Sequence, residues 1–178
     1  AMFALFEKLV DPYRPVPLAP PPAGLPAFFW HYVKPVWPVV LAIAVLTAAI
    51  AALEIVMLDY VGHFVDLMSN ADRATFFEQH GGDVWRMALL ALVVLPLLAV
   101  TWEFIFHQSF AGNFPMMIRF QGHRYLLRQS MGYFQDEFAG RIATKLMQTS
   151  LAVRETVVKL LDIGNYVLVY FGGTLIVA

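Results

Sequence analysis

The architecture of this chain follows from the stretch VWPVVLAIAVLTAAIAAL, which runs from Val36 to Leu53. It carries no charged residue, and Thr47 is its only polar side chain. With the apolar residues 55–58 beyond Glu54, it reaches the roughly 20 residues that a helix needs to cross about 30 Å of hydrocarbon. The sequence therefore predicts a first transmembrane helix over 36–58.

The composition of the whole chain agrees with a lipid environment. Of its 178 residues, 60% are hydrophobic and 14% are charged, with a mean hydropathy of +0.65. Soluble domains hold about 45–50% apolar and about 25% charged residues. The net charge of -1 provides no global field to attract nucleic acid. The absence of cysteine excludes disulfides and thiolate metal ligands.

Two further apolar stretches complete a three-span prediction. The second runs from Met87 to Phe106, with Pro96 near its middle as a predicted kink. The third begins at Leu160 and continues to Ala178. We expect an all-α membrane protein whose second and third spans extend out of the membrane, over 84–132 and 141–178.

The loop charges predict the orientation. Residues 107–159 and the flank before the first span are basic, whereas residues 59–83 are acidic and contain turn signals such as Gly81-Gly82. Short cytoplasmic loops are enriched in Lys and Arg. We expect a multi-pass protein of the cell inner membrane, with the N-terminus and 107–159 in the cytoplasm and the loop 59–83 outside.

The segment before the first span divides into two parts. Within the leader 1–25, residues 2–10 could form one short amphipathic helix. The prolines that begin at position 12 disfavour a helix and favour an extended tether; a disordered leader and a specific docking arm both remain open. Residues 26–34 are aromatic and end in Lys34, which predicts an interfacial helix lying on the membrane. The alternative is that they simply begin the next helix.

Helix length predicts a stalk beneath the membrane. If mostly helical, the 49 residues from Trp85 to Tyr133 would extend about 73 Å at 1.5 Å per residue, against about 30 Å of hydrocarbon. The return segment from Gly140 to Lys159 would add about 30 Å. Two such helices joined by the polar turn GYFQDEFAGRIA, residues 132–143, suit a docking contact far below the lipid; an ordinary polar turn is the alternative.

The segment from Arg124 to Gln148 resembles the first intracellular loop of ATP-binding-cassette (ABC) exporters. The matching residues, in chain order, are Arg124, Arg128, Tyr133, Phe134, Gln135, Asp136, Glu137, Gly140, Ile142 and Lys145. The pattern departs from the family at Gln148, where the family often has Asp. The resemblance covers residues 26–178 and implies that 26–34 is the family's elbow helix.

The resemblance also implies a function for the turn 133–140. In this family such a turn is a coupling helix that fits a groove on a nucleotide-binding domain. The implied contact residues are Phe134, Gln135, Asp136, Glu137, Phe138, Ala139, Gly140 and Arg141. Within the resemblance, the form FQDEFAGRIA is similar to bacterial exporters with fused ATPase domains.

The partners and cofactors implied by the resemblance lie outside this sequence. No Gly-x4-Gly-Lys-Ser/Thr phosphate-binding loop occurs in it, so no ATPase activity is assigned to this chain. ATP and Mg²⁺ would be bound by a nucleotide-binding domain in a missing C-terminal part or in another chain. Three spans cannot enclose a substrate cavity, so we expect a second transmembrane half, an identical chain forming a homodimer. The substrate is not readable from the sequence.

Four polar residues in or near the spans are candidates for lining a cavity. Ionisable groups are costly in hydrocarbon and usually face a cavity or a partner. These residues are Glu54, Glu103, Asp162 and Asn165. Helix pairing is the alternative, since His107 follows Glu103 at i+4.

Other kinds of site find little support. Asp59, His63 and Asp66 can share one helical face, but the spacing supplies no fourth ligand, so we expect no metal site. No Ser-His-Asp arrangement suggests a catalytic centre. The alternative function is a signalling or scaffold membrane protein that relays conformational change through its stalk. We rank it below transport because the acidic loop, about 25 residues long, is too short for a usual sensor fold.

Overall fold

The computed structural model describes residues 3–17, 19–70, 76–136 and 139–177 of the chain, and these contain helices and no strand. The α-helices are α1 Phe3–Glu7, α2 Leu25–Val33, α3 Trp37–Asn70, α4 Phe76–Leu89, α5 Leu95–Glu103, α6 Asn113–Leu126, α7 Met131–Asp136, α8 Ala139–Asn165 and α9 Gly172–Val177. The all-α class expected from the sequence is therefore present throughout the described residues.

Helix α3 begins where the first span is predicted to begin and extends well beyond its predicted end. A 3₁₀ turn at Lys34–Val36, containing Pro35, joins α2 to α3. Helix α3 then continues to Asn70, twelve residues past position 58. No proline interrupts residues 59–70, so nothing in them removes a helical hydrogen bond.

The turn predicted at Gly81-Gly82 is wrong. Both glycines lie inside α4, which runs from Phe76 to Leu89. A glycine in a helix interior costs only about 1 kcal/mol relative to alanine, and the apolar residues that follow within α4 favour continuing the helix.

Three π-helical segments widen the long helices, at Leu90–Val94, Phe104–Ala111 and Tyr166–Phe171. The first of these immediately precedes Pro96, the second residue of α5. Pro96 has no N–H to donate to the carbonyl of Leu92, and its ring crowds that carbonyl, so a wider turn relieves the strain. The sequence signal at Pro96 thus coincides with a real irregularity of the helix.

The chain divides into two compact units, and the first comprises residues 1–43 and 103–161. Its core is formed by side chains from α2, α3, the second π segment, α6 and α8. The buried apolar residues are Val10, Tyr32, Val36, Val39, Ile43, Phe110, Phe114, Met117, Ile118, Ile142, Val153 and Val157. The rings of Phe110 and Phe114 stack with their centroids 4.7 Å apart.

The second unit comprises residues 44–102 and 162–178. Within it, the indole Nε1 of Trp102 donates a hydrogen bond of 2.9 Å to the hydroxyl of Thr47. The Tyr170 hydroxyl bonds to Glu54 at 2.5 Å. Thr47, the one polar side chain of the 36–53 stretch, is therefore satisfied by a partner on another segment of the same unit.

Among the residues that the structure describes, two helical stretches are long and apolar enough to cross a membrane. They are Leu25–Asp66, with a mean hydropathy of 2.7 in its most apolar part, and His80–Leu126, with 2.4. In the most apolar part of His80–Leu126, no residue is buried within the chain. Large side chains such as Leu92 and Leu97 are mostly exposed. Exposed helices of this apolarity are suited to lipid.

Candidate functional site

The described residues of the turn predicted to dock a partner, 133–136 and 139–140, lie within two helices. Helix α7 ends at Asp136 and α8 begins at Ala139. Glu137 and Phe138 lie outside the described residues, and for Gln135, Asp136 and Ala139 the structure describes the backbone alone. The described members of the eight predicted contact residues therefore lie at the end of α7, over 134–136, and at the start of α8, over 139–141.

Phe134 and Gly140 are the best-described members of this turn. The Phe134 ring is 38% exposed and packs edge-on against Tyr133, with centroids 5.6 Å apart. A Cβ added at Gly140 would have no neighbour within 4 Å. The carbonyl of Gly140 accepts a hydrogen bond of 2.8 Å from the Thr144 hydroxyl. An aromatic ring and an open glycine thus flank the turn in this region.

Two arginine hydrogen bonds, here called the clamp, hold α8 of the first unit against α6 and against the end of the second π segment, which precedes α6. Arg119 Nε donates a hydrogen bond of 2.8 Å to the hydroxyl oxygen of Ser150, and Arg154 Nη1 donates one of 3.4 Å to the carbonyl of Ala111. Ser150 is fully buried and donates its own proton to the carbonyl of Met147 at 2.8 Å. The order of these pairs along the chain makes α6 and α8 antiparallel.

A close approach supplements the clamp. Gly122 of α6 lies against the side chain of Leu146 on α8, in a space that a Cβ would occupy. A glycine allows the two helices to approach closely at this point. The clamp and this contact together hold the hairpin that leads toward the turn 133–140.

The leader is docked onto the hairpin of the same unit. The Ser109 hydroxyl donates to the carbonyl of Phe6 at 2.6 Å, and the Asn113 amide donates to the carbonyls of Glu7 and Val10 at 3.1 and 3.0 Å. Val10 is 1% exposed. The sequence left open a disordered leader or a specific docking arm, and these contacts of the described leader residues favour the docking arm.

Aromatic contacts extend the leader's attachment on both sides of these hydrogen bonds. The Phe6 ring stacks on Phe104 at 5.5 Å, and the Tyr13 ring meets Phe120 edge-on at 5.2 Å. Sequence reasoning missed these partners because they lie about a hundred residues apart in the chain. The one local signal was the pair of small polar side chains, Ser109 and Asn113, in an otherwise apolar region.

The residues predicted to line a cavity are found in different settings. Glu103 pairs with His107 at 3.0 Å, as the i,i+4 spacing predicts, and both side chains are more than half exposed. Glu54 accepts the hydrogen bond from Tyr170 within the second unit. Asp162 is exposed and Asn165 partly exposed on α8. Tyr170 was not predicted, because a tyrosine in an apolar run has the ordinary signature of a lipid-facing residue.

Asp59, His63 and Asp66 do share one face, as their spacing predicts. With Tyr170, Thr174 and apolar neighbours they line an open cleft of about 700 Å³ in the second unit. Over the part of the chain that the structure describes, no group of three or more His, Cys, Asp or Glu side chains is placed to hold a metal ion.

These observations define an all-helical chain with two helices suited to a membrane and a clamped hairpin ending in a polar turn. The chain is similar to a Haemophilus influenzae protein described as an uncharacterized ABC transporter ATP-binding protein, with 34% identity over 183 residues. The matched region covers 99% of this chain and 29% of the relative, so the chain spans less than a third of that protein's length. No protein-family model matches the chain, and no solved structure matches it significantly. The similarity indicates a link to ABC transporters.

Proposed function

We propose that this chain is the N-terminal part of the transmembrane domain of an ATP-driven ABC exporter. The observation that carries the proposal is the 34% identity to an ABC transporter protein along nearly the whole chain. The apolar helices support the membrane part of the proposal. The relative's description names ATP binding, whereas this sequence contains no phosphate-binding loop, so the proposed role of this chain is the membrane part. ATP and Mg²⁺ belong to a nucleotide-binding domain outside this sequence.

In this proposal the turn 133–140 receives motion from the nucleotide-binding domain. The Arg119–Ser150 and Arg154–Ala111 hydrogen bonds support it, because a clamped hairpin transmits displacement as a rigid element. The exposed ring of Phe134 is suited to a pocket on a partner, as aromatic side chains dominate the energy of such contacts.

The transport path requires more helices than this chain supplies. Residues 26–34 serve as an elbow helix, and residues 160–178 supply a third span. A second transmembrane half, an identical chain, completes the cavity, and transport proceeds by alternating access. Glu54, Asp162 and Asn165 are candidates for its polar wall. The protein lies in the inner membrane of the cell, and its N-terminus and residues 107–159 face the cytoplasm.

The experiment uses Phe134→Ala in vesicles that contain the chain together with its ATPase domain. We expect ATP-driven transport to fall about tenfold, the factor for a contact of about 1.4 kcal/mol. Leu127→Ala is the matched control, since Leu127 is 69% exposed and lies before the turn; its transport should stay within about twofold of the parent. Undiminished transport by Phe134→Ala would contradict docking through this turn.

A further inference from the structure

The first unit contains a cavity of about 370 Å³ that the transport proposal does not use. It lies beneath the leader, between α2, α6, α7 and α8 of that unit. Its lining residues are Val16, Pro17, Ala19, Pro21, Phe28, His31, Tyr32, Ile118, Gln121, Gly122, Arg124, Tyr125, Leu126, Tyr133, Ile142, Lys145, Leu146 and Thr149. Ligand pockets range from about 300 to 1,000 Å³, so this volume is sufficient for part of a small molecule.

The polar groups of this cavity favour an anion. The side-chain nitrogen of Gln121 is buried and has no hydrogen-bond partner among the described residues. An amide nitrogen only donates, and leaving a buried donor unsatisfied costs about 1–3 kcal/mol. A ligand oxygen would satisfy it. None of the lining residues, all of which the structure describes, carries a carboxylate.

Two cationic side chains line the same cavity as that donor. The guanidinium carbon of Arg124 is 5.8 Å from the centroid of the Phe120 ring. A guanidinium carries five N–H donors, which can bind ligand oxygens. Lys145 lines the same cavity from α8. Guanidinium and ammonium groups are the usual protein partners of phosphate.

Much of the remaining wall is apolar, although His31, Thr149 and three tyrosines also line it. Ile118 and Ile142 are almost fully buried, Tyr32 is 9% exposed, and the leader contributes Val16 and Pro17. These apolar side chains form a surface that suits hydrocarbon. A ligand that satisfies both kinds of wall has an anionic head and an apolar body.

We propose that this cavity binds a phospholipid-type amphiphile, with its phosphate on Gln121 and Arg124 and the beginning of its acyl chain against Tyr32 and Ile142. The bound molecule would contact the leader and both helices of the hairpin at once. Tyr133, which packs on Phe134, also lines the cavity. This inference depends on the cavity alone and holds whether or not the turn 133–140 docks on an ATPase.

The test measures binding of three probes to the full chain held in a non-ionic amphipol. The probes are lysophosphatidylglycerol, with an anionic head and a chain; lysophosphatidylcholine, with a zwitterionic head; and glycerol 3-phosphate, which has no chain. We expect saturable binding of the first, at a Kd at least about tenfold below those of the other two. Equal affinity for the zwitterionic lipid would overturn recognition of charge, and equal affinity for glycerol 3-phosphate would overturn recognition of the chain.

The variants locate the binding. Arg124→Gln should weaken lysophosphatidylglycerol binding about tenfold, the size of one charged hydrogen bond, while Arg124→Lys should retain most of it. Gln121→Leu should weaken it several-fold. Arg128→Gln is the matched control, because Arg128 is exposed and lies outside the cavity lining. If Arg124→Gln binds like the parent chain, or is weakened no more than Arg128→Gln, the proposed site is wrong.

Discussion

Arg119 donates a hydrogen bond of 2.8 Å from its Nε to the hydroxyl of Ser150, which is completely buried between α6 and α8. Ser150 in turn donates to the carbonyl of Met147 on its own helix. The serine therefore orients the arginine while its own hydroxyl is fixed. A charged donor and a buried acceptor form the kind of hydrogen bond whose loss is costly.

We expect Ser150→Ala to lower the free energy of unfolding by about 1–2 kcal/mol, since it leaves the Arg119 donor without this acceptor. The measurement is chemical or thermal unfolding of the chain in detergent. Thr144→Ala is the control on the same helix, because the Thr144 hydroxyl is exposed and bonds only to the preceding turn; it should change stability by less than about 0.5 kcal/mol. Equal stability of the two variants would contradict the clamp.

The leader gives a second prediction. Asn113→Ala removes both hydrogen bonds to the carbonyls of Glu7 and Val10. Because the leader can be cut only when it opens, loss of about 1.4 kcal/mol should speed tryptic cleavage after Lys8 about tenfold. Mass spectrometry of timed digests provides the rate.

Gln129→Ala serves as the comparison for the leader experiment. The Gln129 amide is exposed and donates only to the carbonyl of Tyr125, four residues earlier. Its variant should be cleaved after Lys8 at the rate of the parent chain. If Asn113→Ala and the parent chain are cleaved after Lys8 at the same rate, Asn113 does not hold the leader.

Two neighbouring glycines give a third prediction within the second unit. A Cβ at Gly173 would lie 2.6 Å from Cδ1 of Ile55, whereas one at Gly172 would meet nothing within 4 Å. We expect Gly173→Ala to be less stable than Gly172→Ala by about 1 kcal/mol, because Ile55 must shift to relieve the overlap. Thermal unfolding of the two variants measures the difference.

Shortening the opposing side chain should reverse this effect. Ile55→Val removes the Cδ1 methyl group, so adding Gly173→Ala to Ile55→Val should cost little stability compared with Ile55→Val alone. If Gly173→Ala remains equally costly after Ile55 is shortened, its cost has another origin.

The sequence predicted local properties well because local properties depend on neighbouring residues. The helical class and the apolar stretches around 36–58 and 87–106 follow from hydropathy over one segment. The Glu103–His107 pair follows from the spacing of a single helix. The turn expected at Gly81-Gly82 failed for the complementary reason, since flanking residues outweighed the preference of two glycines.

Long-range contacts were beyond the reach of the same reasoning. Ser109 on Phe6, Arg119 on Ser150 and Glu54 on Tyr170 join residues that no periodicity relates. The cavity beneath the leader is likewise assembled from five segments, the leader and four helices. The sequence identified Arg124 and Lys145 as part of the resemblance to an exporter loop, but not as neighbours in a cavity, because their convergence depends on how α6 packs against α8.

The central claim is that the apolar helices lie in lipid and the basic hairpin faces the cytoplasm. The chain has no cysteine, and Cβ atoms at Gly140 and Gly62 would meet nothing within 4 Å, so single cysteines can be introduced at both positions. A membrane-impermeant maleimide should label Gly62→Cys on intact cells and Gly140→Cys only after the membrane is opened. Labelling of Gly140→Cys on intact cells, with Gly62→Cys protected, would contradict the account.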